Sequence, residues 1–315
     1  MNGHQILAIL ELVLYATLLP PVLFCTFHYL FKKQFAWLYL QAFVIAKIAG
    51  PAIYLSIAEK SNASRSLQMA AQILYSIALG PLLSATLSFV NTNPATPDRT
   101  AKDAYDRENL GNDHTVPTAY LPGPNQQQAY TPLTPIAPEN RPLGSRNASS
   151  SNNSKVAIFL RLLHPVIIIA LVLGIMSGTN RSPSSDGSID ADKYDRGATF
   201  AKASSALFLV ALFGITPGVV YLFRRRQTMQ TVARYMITAM PVIIPLLFLR
   251  ILYSVLGAAN LDTTGHAGHT KRYNVLTGSW AVYLVLGLIP QGVVLVAYTV
   301  CGVGAWWRER GRTGY

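Results

Sequence analysis

The chain has 315 residues, 51% of them hydrophobic and 13% charged, whereas a soluble globular domain carries about a quarter of charged residues. That deficit, with a mean hydropathy of +0.30, argues against a soluble enzyme and for a chain that meets lipid. The net charge of +12 does not call for nucleic acid, since the basic residues lie largely in short runs beside apolar blocks; the two cysteines, Cys25 and Cys301, lie inside such blocks and build neither a disulfide framework nor a thiolate metal cluster.

A bilayer core about 30 Å thick is crossed by about 20 apolar residues in a helix, which satisfies its own backbone hydrogen bonds in hydrocarbon. Seven windows meet that requirement: 6–30, 35–58, 67–90, 156–177, 200–223, 231–257 and 275–304. Only Phe31-Lys32-Lys33-Gln34 separates the first two, and a short stretch opening with Arg224-Arg225-Arg226-Gln227 separates the fifth and sixth, so both pairs are expected as antiparallel helical hairpins. The expected fold is therefore all-α, a polytopic seven-helix transmembrane bundle. Residues 1–90 carry helices one to three, 91–155 a long loop, 156–304 helices four to seven, and 305–315 a short tail.

Few residues precede the first apolar block, none of them Lys or Arg, and its basic flank follows it. This is the pattern of a retained first span with its N-terminus outside or lumenal and the C-terminus cytoplasmic, in the plasma membrane or an endomembrane. Eight Lys and Arg of the short loops and tail then fall inside against seven outside, and the run Arg224 to Arg226 against a span is the most telling.

Residues 91–155 hold six basic and six acidic residues and nine prolines but only three aromatics, a composition that buries too little surface to offset ordering and reads as disordered. In the expected topology this loop is cytoplasmic. Thr96, Thr131 and Thr134, each followed by proline, are candidate phosphorylation sites, and the Pro-rich part is where a cytoplasmic partner would bind; an inert tether is the plainer alternative. Of the sequons at Asn62, Asn147, Asn152 and Asn180, only Asn62 and Asn180 face the lumen in this topology and are candidate glycosylation sites.

An ionisable group inside a span costs about 2.5 to 3.5 kcal/mol near the bilayer centre, so each one needs a partner or a purpose. Three stand out: Glu11, Lys47 and Arg250. At 1.5 Å per residue, Glu11 lies about 8 Å below the outer boundary, Arg250 about 10 Å and Lys47 about 16 Å. The depth match makes Glu11 and Arg250 the expected ion pair, with Lys47 a second partner. Tyr15 follows Glu11 by four and Tyr253 follows Arg250 by three, placing each on its charge's face; Gln72 and Gln291 are further polar candidates. Two readings stay open. One is a structural network pinning helices one, two and six; the other is an outward-facing pocket, net positive, that takes a carboxylate or other small anion.

Every window contains proline, with Gly50-Pro51 and Gly80-Pro81 the expected sharp bends. Histidines are split between His28 and His164 toward one side and His266 and His269 in the last loop, a poor metal set, so no metal or other cofactor is expected. Nucleotide-binding, nucleophile-elbow, retinal-lysine and rhodopsin-type motifs are all missing, and no enzyme activity is expected.

Glu11-Leu12-Val13-Leu14-Tyr15, Ala46-Lys47-Ile48-Ala49-Gly50, Leu79-Gly80-Pro81-Leu82-Leu83 with Ala85-Thr86-Leu87, and Leu249-Arg250-Ile251-Leu252-Tyr253-Ser254 carry a resemblance. Through them the chain resembles a group of fungal seven-span membrane proteins known mainly as a domain of unknown function. The resemblance implies that the charged cluster is a family feature, with Arg common at the position of Lys47 and an acidic residue usual where Gln291 stands; it supplies no activity, substrate or cofactor. The leading functional expectation is a receptor-like sensor of a small ligand near Glu11, Tyr15, Lys47, Arg250 and Tyr253. A small-anion transporter and a structural membrane protein are the alternatives. The partners expected are the lipid bilayer, a small anionic ligand and a cytoplasmic binder of the long loop.

Overall fold

Backbone that finds no water to bond must close on itself, and helix accounts for almost all that the computed structural model describes, residues 3–32, 34–58, 65–91, 147–181, 190–224, 226–228, 231–259 and 278–312. The chain divides into two units, Met1–Asn93 with Val156–Tyr315, and Pro94–Lys155. Of the second, only the helical residues 147–155 are described.

The helices are α1 (Gly3–Leu30), α2 (Ala36–Ala58), α3 (Arg65–Ile77), α4 (Leu79–Asn91), α5 (Asn147–Asn180), α6 (Ala191–Arg224), α7 (Thr231–Ala259), the short α8 (Trp280–Tyr283) and α9 (Ile289–Arg312). Seven helical stretches are long and apolar enough to cross a membrane: Gly3–Leu30, Ala36–Ile57, Ile73–Asn91, Ile158–Asn180, Ala191–Arg224, Val232–Ala259 and Trp280–Gly311. The chain is an integral membrane protein of seven apolar helices, as its composition requires. Phe27, Leu162, Phe213 and Val300 are more than half exposed, which in hydrocarbon carries no penalty.

Several boundaries differ from the sequence expectation. The helix bearing the fourth span begins at Asn147, inside the stretch read as loop, because Ser and Asn continue a helix once the apolar run behind them sustains it. The seventh begins at Trp280 rather than 275, and its helix continues past 304 to Arg312, so most of the expected tail is helical. The two expected proline bends also part company. The helix runs unbroken through Gly50-Pro51, whereas the third span breaks at Ala78, just before Gly80-Pro81. In the seventh span the strain falls one turn ahead of Pro290, where Leu284–Leu288 widens into a π-helical turn. Proline offers no N–H and its ring crowds the carbonyl four residues earlier, and the wider turn accommodates both faults.

Both expected hairpins form. The chain reverses after α1 through Lys32 and Gln34 N–H donating to the Tyr29 carbonyl at 3.0 and 3.2 Å, and α2 returns along α1. α2 also packs on α3 and α4, α6 on α7, and α9 on α7 and α1. Toward the ends of α1 and α9 the core is aromatic. Trp37, fully buried, stacks on Tyr29 at 5.5 Å between ring centres and meets the edge of Phe89 at 5.5 Å; Phe89 lies 4.9 Å from Tyr298. The two phenols of this aromatic cluster are partnered, Tyr29 donating to the Gly302 carbonyl at 2.9 Å and Tyr298 to Thr86 Oγ1 at 2.8 Å. These contacts lock the first, second, third and seventh spans together and so fix the heights at which their polar residues meet.

Candidate functional site

Glu11, on the buried face of α1, and Lys47, midway along α2, meet in the bundle interior with side chains 0% and 1% exposed. Lys47 Nζ donates to Glu11 Oε1 at 2.8 Å. The same ammonium donates to the Tyr283 hydroxyl at 3.3 Å, and that hydroxyl donates to both carboxylate oxygens at 3.1 Å. The Tyr75 hydroxyl interacts with the Glu11 carboxylate as well. Three aromatic rings enclose the ammonium, with Tyr75, Tyr15 and Tyr283 centred 5.3, 5.9 and 5.9 Å from Nζ. A charge pair so enclosed has exchanged its hydration for hydrogen bonds and π faces, and it is complete without a ligand.

The expected Glu11–Arg250 pair is thus replaced by Glu11–Lys47. Equal depth is necessary for a pair but leaves open which helices are neighbours. α1 packs along α2 in the hairpin, whereas Tyr283 of the seventh span stands between Glu11 and the sixth, its ring 6.0 Å from Tyr253 and 6.1 Å from Tyr75.

Arg250 is therefore left over. It is 3% exposed and its Nη1 donates to Ser254 Oγ at 2.7 Å, one helical turn away, while its guanidinium lies 5.5 Å from the centre of the Tyr253 ring. Among the described residues no carboxylate lies within ion-pair distance of it. It is within electrostatic reach of Tyr15, Lys47 and Tyr283, so it belongs to the same polar region. Arg250 Nε, the hydroxyls of Tyr15 and Tyr253, and both ends of the Gln291 amide are buried and have no hydrogen-bond partner among the described residues. Leaving such groups unmade costs about 1–3 kcal/mol each, more for a charged one. Glu11, Lys47 and Arg250 sum to one net positive charge in the membrane interior.

The structure thus brings together all five expected residues, Glu11, Tyr15, Lys47, Arg250 and Tyr253, and divides them into a satisfied pair and an unsatisfied arginine with polar neighbours. Tyr75 and Tyr283 were missed by sequence reasoning. Their signal was a tyrosine near the expected outer end of an apolar run, where a phenol needs a partner. Asn180 is the half-buried last residue of α5. Asn62, Thr96, Thr131, Thr134, His266, His269 and the side chain of Gln72 lie outside the described residues. His164 Nε2 is 3.0 Å from the Tyr39 hydroxyl and His28 Nε2 is 3.9 Å from Glu309, so these histidines serve separate polar contacts.

Residues 1–106 and 139–308 match the sequence family described as Domain of unknown function (DUF7702). No curated protein and no solved structure matches the chain.

Proposed function

The chain belongs to the family of the domain of unknown function DUF7702, and on that premise we propose that it is a receptor-like seven-span sensor, not an enzyme, that binds a small anionic ligand at Arg250. The observation that carries this reading is the arginine itself, buried in the bundle without a counter-charge among the described residues, against the Tyr253 ring and in the same polar region as the unpartnered hydroxyls of Tyr15 and Tyr253. A carboxylate supplies the charge and accepts from the guanidinium fork and a phenol together, offsetting several desolvation costs at once. Glu11 and Lys47 form the wall of the site, and the N-terminus lies on the outer side from which the ligand enters.

The test is a thermal-shift panel of small carboxylates and other anions against the purified full chain. A binder present at about 100 times its Kd stabilises the folded state by about 2.7 kcal/mol. At least one carboxylate should raise the Tm of the wild type and leave Arg250→Gln unmoved. A panel without any shift, or a shift that survives Arg250→Gln, removes the proposal.

The interruptions of the third span at Ala78 and of the seventh at Leu284–Leu288 favour a second reading, a small-anion carrier, because discontinuous helices beside a buried charge are how many carriers build a substrate site. Proteoliposome uptake separates the two. Accumulation of an anion that also shifts the Tm supports the carrier, and binding without uptake supports the sensor.

A further inference from the structure

A second cationic region lies at the far end of the bundle from the Glu11 cluster, where the fifth and sixth spans join and α9 leaves its span. Arg224 is the last residue of α6, Arg226 lies in the 3-10 turn Arg226–Thr228, and Arg234 falls in the first turn of α7. Arg308 comes from α9 to the same end, its guanidinium 5.3 Å from the centre of the Tyr235 ring. Arg226 is held in the same way, 4.5 Å from the centre of the Phe223 ring. Arg224, Arg234 and Arg308 are exposed, and among the described residues none of the four has a carboxylate within ion-pair distance. Glu309, an acidic residue of the same tail, is committed elsewhere: its carboxylate takes Lys32 in an ion pair, with His28 3.9 Å away.

Two further features set the chemistry of a partner. An arginine whose face lies on an aromatic ring keeps its N–H edge free, and that edge matches the paired oxygens of a phosphate. Trp307 is 66% exposed and adjoins Arg308, and an exposed indole beside arginine where a span ends sits at headgroup level. Arg234, exposed and already within the sixth span, can reach water only through that same layer.

We propose that Arg226 and Arg308, flanked by Arg224 and Arg234, form a binding site for the phosphate headgroup of an anionic phospholipid. The site is independent of the Arg250 reading, because it lies at the other end of the bundle and needs no ligand there. Its partner comes from the bilayer itself, with the acyl chains lying along the exposed apolar flank of the spans.

The full chain is reconstituted into nanodiscs of phosphatidylcholine alone or of phosphatidylcholine with a minority of phosphatidylserine, and the phospholipid that co-purifies after gentle detergent extraction is measured by native mass spectrometry together with the Tm. Phosphatidylserine should be retained by the wild type and raise its Tm. Retention should weaken about five-fold for each arginine removed in Arg226→Gln, Arg308→Gln and the double variant. Arg196→Gln, at the opposite end of α6, should behave as wild type. Equal loss in Arg196→Gln, or full retention in the double variant, overturns the site in favour of diffuse attraction. An equal Tm rise from glycerol phosphate added to phosphatidylcholine discs overturns the lipid as its source. Should the double variant lack the wild-type Tm in detergent, Arg226→Lys with Arg308→Lys takes its place. It keeps both charges without the fork, so reduced retention supports the site and undiminished retention overturns it.

Discussion

Glu11→Gln should destabilise the bundle by about 3–5 kcal/mol, the range for removing one partner of a buried ion pair. Two features of the site bound the cost. Lys47 is 1% exposed, so losing the carboxylate leaves an ammonium that water cannot reach. It can instead shed its proton, at about 1.36 kcal/mol per pH unit below the ordinary lysine value of about 10.4, or about 4.6 kcal/mol at pH 7. That escape limits the cost of the stranded ammonium itself to the same range. The cost is lowered further because the glutamine oxygen still accepts from Lys47 Nζ and the Tyr283 hydroxyl remains 3.3 Å away, which puts the expectation near 3 kcal/mol. Glu11→Gln with Lys47→Met removes both charges and keeps the volume, and should return to within about 1 kcal/mol of the wild type. Glu11→Gln with Arg250→Gln should recover nothing, because Arg250 is not the partner. The assay is equilibrium unfolding in mixed micelles, with the four corners of each cycle measured under one condition. A single-variant cost below about 1 kcal/mol, or a Lys47 double variant as unstable as the sum of its singles, would refute the pairing and its energetic role.

Gly287→Ala should disturb the same site from the seventh span. A Cβ there would stand 2.6 Å from Cδ2 and 2.8 Å from Cε2 of the Tyr283 ring, so the ring must turn and its hydroxyl leave Glu11. The expected loss is about 1–3 kcal/mol by the same unfolding assay, and a Tyr283→Phe background should abolish most of it. At the start of α6, Asp190 accepts from the backbone N–H of Lys193 at 3.3 Å and of Asp192 at 3.1 Å, and the Lys193 bond chiefly holds its carboxyl below the ordinary value of 3.8. A depressed carboxyl stabilises the helix end fully above its unfolded value and loses that contribution as pH falls through the folded one. Exchange protection of the Asp192 and Lys193 amides should therefore drop in acid below pH 3.8, and Asp190→Asn should flatten that profile. An unchanged profile in Asp190→Asn would assign the loss to another group.

What could be read from the sequence follows from which physical quantity each feature depends on. A span depends on the length of its own apolar run, and the runs around Tyr15 or Ile243 announce themselves without knowledge of any neighbour. A helix break depends on proline but also on how the surrounding spans pack, which is why Gly80-Pro81 pointed to the interruption at Ala78 and Gly50-Pro51 pointed to one that does not occur. The ion pair depends on the order of helices around the bundle axis, and no arithmetic along a single helix contains that order. Depth placed Glu11, Lys47 and Arg250 in one region correctly and then chose the wrong partner, because the hairpin brings α2 onto α1 while Tyr283 screens the sixth span.

That wrong choice has a functional consequence. Had Arg250 neutralised Glu11, Lys47 would have been the surplus cation, a compact charge on a flexible four-carbon stem. Arg250 has less freedom: its Nη1 is tied to Ser254 Oγ at 2.7 Å and its guanidinium lies beside the Tyr253 ring, so the surplus charge is held in place within the bundle. An immobilised cation with a buried, unpartnered Nε is a lasting cost to folding. A bound anion would offset that cost when present and leave it in force when absent. The same residue would then link occupancy of the site to the stability of the sixth and seventh spans, which is the physical requirement for a sensor.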